Sequence, residues 1–262
     1  MVIQRIFYIR VIPFGAIMPA VFIILSIGLS FSNLIHSTIY MPIQFVLFLL
    51  TAPFDKNRRI MHYNTSLLCV TVLFLSPVLR LKFSGRENLD RSKGHVVVMN
   101  HQSLLDILLV FTLFYPAKMI AKKALTFVPV VGWNLFLSGH LFVDRSKVKS
   151  QFDAIRKMDN LLVSGDSLMI YPEGTRTRNG DIAEYKKGAF RSACNTGTPV
   201  QPVVIDGAYQ ALPRKRKIFN GFYTITLSVL PPVPVEKGSP TKALAALCHE
   251  LMSLELKRLR TV

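Results

Sequence analysis

Cysteine is scarce in this 262-residue chain, and the signatures of several common enzyme classes are missing. The three cysteines, Cys69, Cys194 and Cys248, lie far apart, so neither a disulfide framework nor a zinc site is expected. There is no Gly-x-x-x-x-Gly-Lys phosphate loop, no Gly-x-Gly-x-x-Gly turn and no Gly-x-Ser-x-Gly nucleophile elbow. These absences argue against a P-loop enzyme, a dinucleotide-dependent enzyme and an α/β hydrolase.

Acidic residues are also few, since 15 Asp and Glu stand against 32 Lys and Arg and give a net charge of +17 and a pI near 10.1. Such a charge indicates an anionic partner. Nucleic acid is the weaker candidate, because the chain has no zinc-finger spacing, no aromatic RNA-binding signature and no basic zipper. Anionic membrane lipid fits better, and the basic quartet 214–217 would contribute to it unless it is only a solvated loop.

Charged residues are absent from residues 11–54, and the mean hydropathy of the whole chain is +0.36. This stretch is long enough for two spanning helices of about 20 residues each. Basic residues on both sides of it place both ends on the cytoplasmic side by the positive-inside rule. We therefore predict a membrane helical hairpin over residues 1–60, either spanning or re-entrant. Residues 61–80, with a shorter charge-free run, are predicted to form an interfacial or packing helix.

A histidine and an aspartate follow the apolar run 95–99. His101 and Asp106 are five residues apart, so they can meet only if one of them lies outside a regular helix. Ser103 is typical of a helix N-cap, which would place Asp106 in the first turn and His101 in the preceding loop. A carboxylate that fixes the tautomer of a histidine makes that histidine a general base near neutral pH. The alternative is that Asp106 only caps the helix and His101 is a surface residue.

Three further clusters follow in order, each on a short apolar run: residues 139–145, 171–176 and 200–205. Together with residues 101–106, they resemble the four motifs of the glycerophospholipid acyltransferase family. The resemblance is strongest to the 1-acylglycerol-3-phosphate (lysophosphatidic acid) acyltransferases. Residues 122–125 and 186–190 are similar to segments between the family's motifs, and the resemblance covers residues 80 to 230. Two positions depart from the family pattern, Tyr171, where many relatives have phenylalanine, and His140.

The resemblance implies a role for each motif residue. His101 and Asp106 would form the catalytic pair. The acceptor would be bound by Lys122, Arg145, Glu173, Gly174, Thr175 and Arg176. Arginine suits this task because its planar fork can bind two phosphate oxygens. Pro202, in the last motif, is expected to shape a strand at a sheet edge. No metal or cofactor is implied, and the acyl donor, acyl-CoA or acyl carrier protein, is a substrate.

Beyond residue 80, short apolar strands alternate with helical runs, as in an α/β layer fold. Strands are predicted at 95–99, around 119, and at 140–143, 168–171, 200–205 and 223–230. A helix is predicted from Lys147 to a stop at Gly165, with a core face of Val148, Phe152, Ile155 and Leu162. A last helix is predicted from Pro240, with a core face of Leu244, Leu247, Leu251 and Leu254. We therefore predict an α/β acyltransferase domain over residues 81–262, with a mixed sheet flanked by helices.

The predicted function is transfer of a fatty acyl group from acyl-CoA or acyl carrier protein to the sn-2 hydroxyl of 1-acyl-sn-glycerol 3-phosphate, forming phosphatidic acid in phospholipid biosynthesis. His101 would activate that hydroxyl directly, and the alternative is a covalent intermediate on Ser103. Other lyso-lipids, such as lyso-ornithine lipid, are alternative acceptors. A noncatalytic basic membrane-binding protein is the alternative of another class. The chain is predicted to be an integral membrane protein with its catalytic domain on the cytoplasmic face, at the inner membrane if it is bacterial.

Overall fold

The computed structural model describes residues 38–144, 146–216 and 218–261, which are built around a seven-stranded sheet. The strands are β1 (Leu79–Ser84), β2 (Val96–Met99), β3 (Ala117–Lys122), β4 (Leu141–Val143), β5 (Ser167–Ile170), β6 (Val200–Asp206) and β7 (Tyr223–Val229). Their order across the sheet is β1-β7-β6-β2-β5-β3-β4. Neighbouring strands are parallel except for the antiparallel pair β6 and β7. The predicted α/β class with a mixed sheet is confirmed.

Helices cover both faces of the sheet. They are α1 (38–51), α2 (Arg59–Phe74), α3 (Leu105–Phe111), α4 (Val131–Leu137), α5 (Val148–Val163), α6 (Gly188–Thr196), α7 (Ala208–Ala211) and α8 (Thr241–Thr261). In β2, Val97 and Met99 enter the core shared with α2 and α3, whereas Val96 and Val98 enter the core shared with α5, α6 and α8. A strand buried on both faces is apolar throughout, which is why β2 could be predicted from its sequence.

The predicted strands are present, with ends that shift by one residue or two, but β1 was not predicted. In β1, Arg80 and Lys82 alternate with apolar residues, and the strand pairs only with β7 at the sheet edge. The expectation that Pro202 lies on an edge strand is wrong, because β6 lies between β2 and β7. Pro202 is tolerated there because the ladder to β7 runs from Val203 to Asp206, so the proline lies just outside it.

The predicted core faces of α5 and α8 were also partly wrong. In α5, Val148 and Phe152 are exposed, and the buried residues are Ala154, Met158 and Leu162. In α8, Leu247 and Leu254 are exposed, and the buried stripe is Leu244, Ala245, Cys248, Met252 and Leu256. Both buried faces include small side chains, which let a helix approach the sheet closely. A pattern search that weights only large apolar residues misses such a face.

The N-terminal predictions are only partly covered by the described residues. The first helix of the predicted hairpin falls on residues 1–37 and lies outside them. Across the part of the chain that the structure describes, no helix is both long and apolar enough to cross a membrane. Helix α2 runs through the predicted boundary at residue 60 and packs on the domain, burying Met61, Cys69 and Leu73. Gln44 of α1 donates a hydrogen bond to Thr65 of α2, which joins the two helices.

Two buried histidines on either side of Phe111 lead to a prediction about acid stability. His62 and His140 contact the Phe111 ring, and burial is the main cause that lowers the pKa of His62 to about 3 and that of His140 well below its usual value. Unfolding returns both to ordinary pKa values near 6.5, so the unfolded chain binds more protons below that pH. Stability should therefore fall as pH drops, by about 2 kcal/mol from His62 alone between pH 6.5 and 5, and His140 should add to the loss.

Urea unfolding of the full chain in detergent at pH 7.5 and pH 5 measures this loss. His62→Phe should reduce the difference between the two pH values, because it removes one of the two buried imidazoles. An equal loss of stability in this variant would show that other groups control the response to acid.

Candidate active site

The predicted catalytic residues lie where the carboxyl ends of neighbouring parallel strands meet. Residues 100–104 connect β2 to α3, and residues 171–178 follow β5, the next strand in the sheet. In open α/β sheets this edge is the usual place for ligands. Asn100 fixes the end of β2 against β6, because its side-chain amide donates to the Ile205 carbonyl and accepts from the Ile205 amide. The loop that carries His101 therefore begins from a fixed point.

The His101 and Asp106 side chains are in contact, with 2.7 Å between Nδ1 and Oδ2. Asp106 lies in the first turn of α3, and its Oδ2 also accepts the backbone amides of Gln102 and Ser103. Burial raises the pKa of the Asp106 carboxyl, while the hydrogen bonds from His101 and the two amides act in the opposite direction. Because the carboxylate accepts the proton on Nδ1, the Nε2 lone pair is left available as a base. The His101 side chain is 17% exposed, so Nε2 can meet a substrate.

The turn after β5 holds His101 on both sides of its backbone. The His101 amide donates to Glu173 Oε1 at 2.7 Å, and its carbonyl accepts from the Thr177 amide at 2.8 Å. Glu173 is buried, and its Oε2 accepts the Ala183 amide. Burial raises the pKa of the Glu173 carboxyl. Glu173 is predicted to line the acceptor site, and in the structure its carboxylate accepts the His101 and Ala183 amides and so joins two loops.

The ring of Tyr171 stacks on the His101 imidazole, with 4.2 Å between centroids and 23° between planes. This contact was not predicted, although the sequence marked Tyr171 as a departure from the family. Among the described residues, the buried Tyr171 hydroxyl has no hydrogen-bond partner. Burial, together with the nearby Asp106 charge, raises the pKa of the phenol well above its usual value. The ring can therefore hold the imidazole in place while the hydroxyl stays protonated.

The predicted acceptor residues are distributed around the same edge. Lys122 is the last residue of β3 and is exposed, and Arg176 is partly exposed with no ion pair to any described residue. Gly174 has a φ of +70°, and Thr175 is exposed. Arg145 lies outside the described residues. The structure thus brings Glu173, Gly174, Thr175 and Arg176 into the turn that holds His101.

Ser103, the alternative nucleophile, is placed differently. Its side chain is buried, and its hydroxyl donates to the Leu212 carbonyl at 2.7 Å and accepts from the Leu105 amide. The helix begins at Leu105 rather than at Ser103, although Asp106 lies in the first turn as predicted. These contacts give Ser103 a structural role and leave the imidazole without a serine nucleophile at this position.

Comparison with known proteins identifies the class of protein to which this fold belongs. The family model described as Acyltransferase matches residues 80–206. A crystal structure of the 1-acyl-sn-glycerophosphate acyltransferase PlsC from Thermotoga maritima superposes with a TM-score of 0.82 at 25% identity, covering 94% of this chain and 98% of that one. The fold is that of an acyltransferase.

Sequence comparison with curated relatives identifies the family within the acyltransferases. A 1-acyl-sn-glycerol-3-phosphate acyltransferase from Borreliella burgdorferi is 30% identical over 65% of this chain and 68% of its own length. The enzyme from Chlamydomonas reinhardtii is 35% identical over 72% of this chain and 59% of its own length. The enzyme from Brassica napus is 35% identical over 61% of this chain and 46% of its own length. The chain thus spans less than two thirds of the length of these last two relatives. It belongs to the 1-acyl-sn-glycerol-3-phosphate acyltransferase family.

Proposed function

We propose that this protein transfers a fatty acyl group from acyl-CoA or acyl carrier protein to the sn-2 hydroxyl of 1-acyl-sn-glycerol 3-phosphate, forming phosphatidic acid. The observation that carries this proposal is the His101 imidazole, which contacts a buried carboxylate through Nδ1 and keeps Nε2 for the substrate. The names of the relatives support the choice of acceptor. Arg176, with no acidic partner among the described residues, supports an anionic headgroup next to this base.

In the proposed reaction, Nε2 of His101 removes the proton of the acceptor hydroxyl as its oxygen attacks the thioester carbonyl. Asp106 stabilises the resulting imidazolium and holds the ring in one tautomer. The tetrahedral intermediate then collapses, the C–S bond breaks, and the imidazolium returns the proton to the departing thiolate. The products are phosphatidic acid and the free thiol of the donor, and no acyl-enzyme forms.

Arg176 provides the test of the acceptor. Arg176→Ala should raise KM for 1-acylglycerol 3-phosphate by about 10- to 100-fold, because a charge-assisted bond to phosphate is lost. Arg178→Ala is the matched control, since Arg178 lies in the same turn and is exposed. Steady-state rates in mixed micelles, with a panel of lyso-lipid acceptors and both donors, measure the effect. If Arg176→Ala acylates 1-acylglycerol 3-phosphate as well as the wild type does, Arg176 does not bind the phosphate. If the wild type prefers lyso-ornithine lipid, that lipid is the acceptor.

We also propose that the charge-free residues 11–54 attach the protein to the membrane as an integral hairpin, with the catalytic residues on the cytoplasmic side. The support comes from the sequence, in which basic residues lie on both sides of this stretch. Release of the protein from membranes by alkaline carbonate would contradict integral attachment.

A further inference from the structure

The side chain of Lys186 lies across Gly174 in the turn after β5. A Cβ built on Gly174 would stand 2.8 Å from the Lys186 Nζ and 3.2 Å from its Cε. The φ of +70° at Gly174 is also one that other residues seldom adopt. The Lys186 side chain therefore occupies the space next to Gly174 that a larger residue would need for its own side chain.

The backbone of Lys186 is fixed to the same turn. Its amide donates to the Pro172 carbonyl at 3.0 Å, and three residues earlier the Ala183 amide donates to Glu173 Oε2 at 3.1 Å. The other oxygen of Glu173 accepts the His101 amide. Hydrogen bonds to Glu173 therefore connect the segment that carries Lys186 to the loop that carries His101. The bond to Pro172 fixes the Lys186 backbone against the turn after β5.

The basic side chains around this turn form no ion pairs with acidic side chains of the described residues. Lys186 is exposed, and within the described ranges neither its ammonium nor the Arg176 guanidinium has a hydrogen bond or an ion pair. Lys122 ends β3, the strand beside β5. Glu173 forms no ion pair with a described residue, and its buried carboxylate accepts two backbone amides. Basic side chains that form no ion pair raise the local positive potential along this edge of the sheet and favour an anion there.

We propose that Lys186 binds the phosphate of the lysophospholipid acceptor together with Arg176, above Gly174. This inference rests on the proposed function and adds a residue to its acceptor site. A phosphate monoester has three acceptor oxygens and up to two negative charges. The Arg176 fork can take two of the oxygens, and the compact ammonium of Lys186 can take the third. Lys186 has no part in proton transfer, so its removal should act on acceptor binding and leave the chemical step unchanged.

Lys187 offers a matched control, since it has the same charge, is also exposed, and lies at the N-cap of α6 rather than against Gly174. In the full chain in mixed micelles, Lys186→Met should raise KM for 1-acylglycerol 3-phosphate by about 10- to 100-fold with kcat nearly unchanged. Lys187→Met should leave KM close to that of the wild type. Equal KM values for the two variants would overturn the proposal.

A binding measurement separates this inference from the proposed function. Titration with glycerol 3-phosphate, with glycerol as the uncharged control, needs no turnover. The wild type and Lys187→Met should bind glycerol 3-phosphate more tightly than Lys186→Met does. If the wild type binds glycerol 3-phosphate no better than glycerol, there is no phosphate site and the inference fails. If phosphate binding depends on Lys186 but no acyl transfer to 1-acylglycerol 3-phosphate occurs, the proposed function fails and the anion site remains.

Discussion

Replacement of His101 by alanine is expected to lower kcat by about 10²- to 10⁴-fold, which is the range that a positioned general base contributes. The substrate hydroxyl would then keep its proton during attack, and no other described side chain replaces Nε2 next to Asp106. The measurement is the rate of phosphatidic acid formation, or of thiol release from the donor, at saturating acceptor. Binding to lipid vesicles should stay unchanged, because the variant keeps all 32 Lys and Arg residues that give the protein its positive charge.

Alanine also leaves the buried Asp106 carboxylate without its side-chain donor, which could weaken the fold. His101→Asn avoids this problem, since its amide can donate to Asp106 in place of Nδ1–H but offers no base. His249→Ala is the matched control, because His249 lies on α8, where its ring contacts Tyr185 rather than His101 or Asp106. If His101→Asn turns over as fast as His249→Ala, the imidazole is not the base. Retention of every measurable function by both His101 variants would instead favour the noncatalytic membrane-binding alternative.

The contact between His101 and Asp106 could be predicted because it is local. Only four residues lie between the two, and a helix that begins between them forces the loop to fold back. The apolar strands β2, β5 and β6 could also be predicted, since strands buried on both faces are apolar throughout. Local sequence patterns were sufficient for these features.

Other parts of the site depend on which strands become neighbours, and no local pattern carries that information. The stacking of Tyr171 on His101 and the bond from His101 to Glu173 exist because β5 lies beside β2. The approach of Lys186 to Gly174 depends in turn on the path of the chain after β5. The sequence placed Glu173 and Gly174 in one motif. It did not show that the Glu173 carboxylate accepts the His101 amide, or that the Lys186 side chain lies across Gly174.

Asp106→Asn should lower kcat by about 10²- to 10⁴-fold, although the substitution is nearly isosteric. Oδ2 now accepts the amides of Gln102 and Ser103 as well as Nδ1–H of His101. An asparagine oxygen would have to stay at the Oδ2 position to accept these three donors, which places its NH₂ group at the Oδ1 position, where the described residues provide no hydrogen-bond partner. The imidazole would keep its proton on Nδ1, but the negative charge that stabilises the imidazolium during the reaction would be lost. KM for the acceptor should change little, because Asp106 is fully buried and touches no substrate.

Asp166→Asn is the control for this variant, since Asp166 is also buried but precedes β5 at the opposite edge of the sheet. Both variants remove one buried carboxylate, so a loss of activity that came only from weakened folding should appear in both. Urea midpoints measured beside kcat distinguish folding from chemistry. If Asp106→Asn stays within a few-fold of Asp166→Asn in kcat, the negative charge of this carboxylate does not stabilise the imidazolium. The oxygen of residue 106 would then act only by accepting Nδ1–H and orienting the ring.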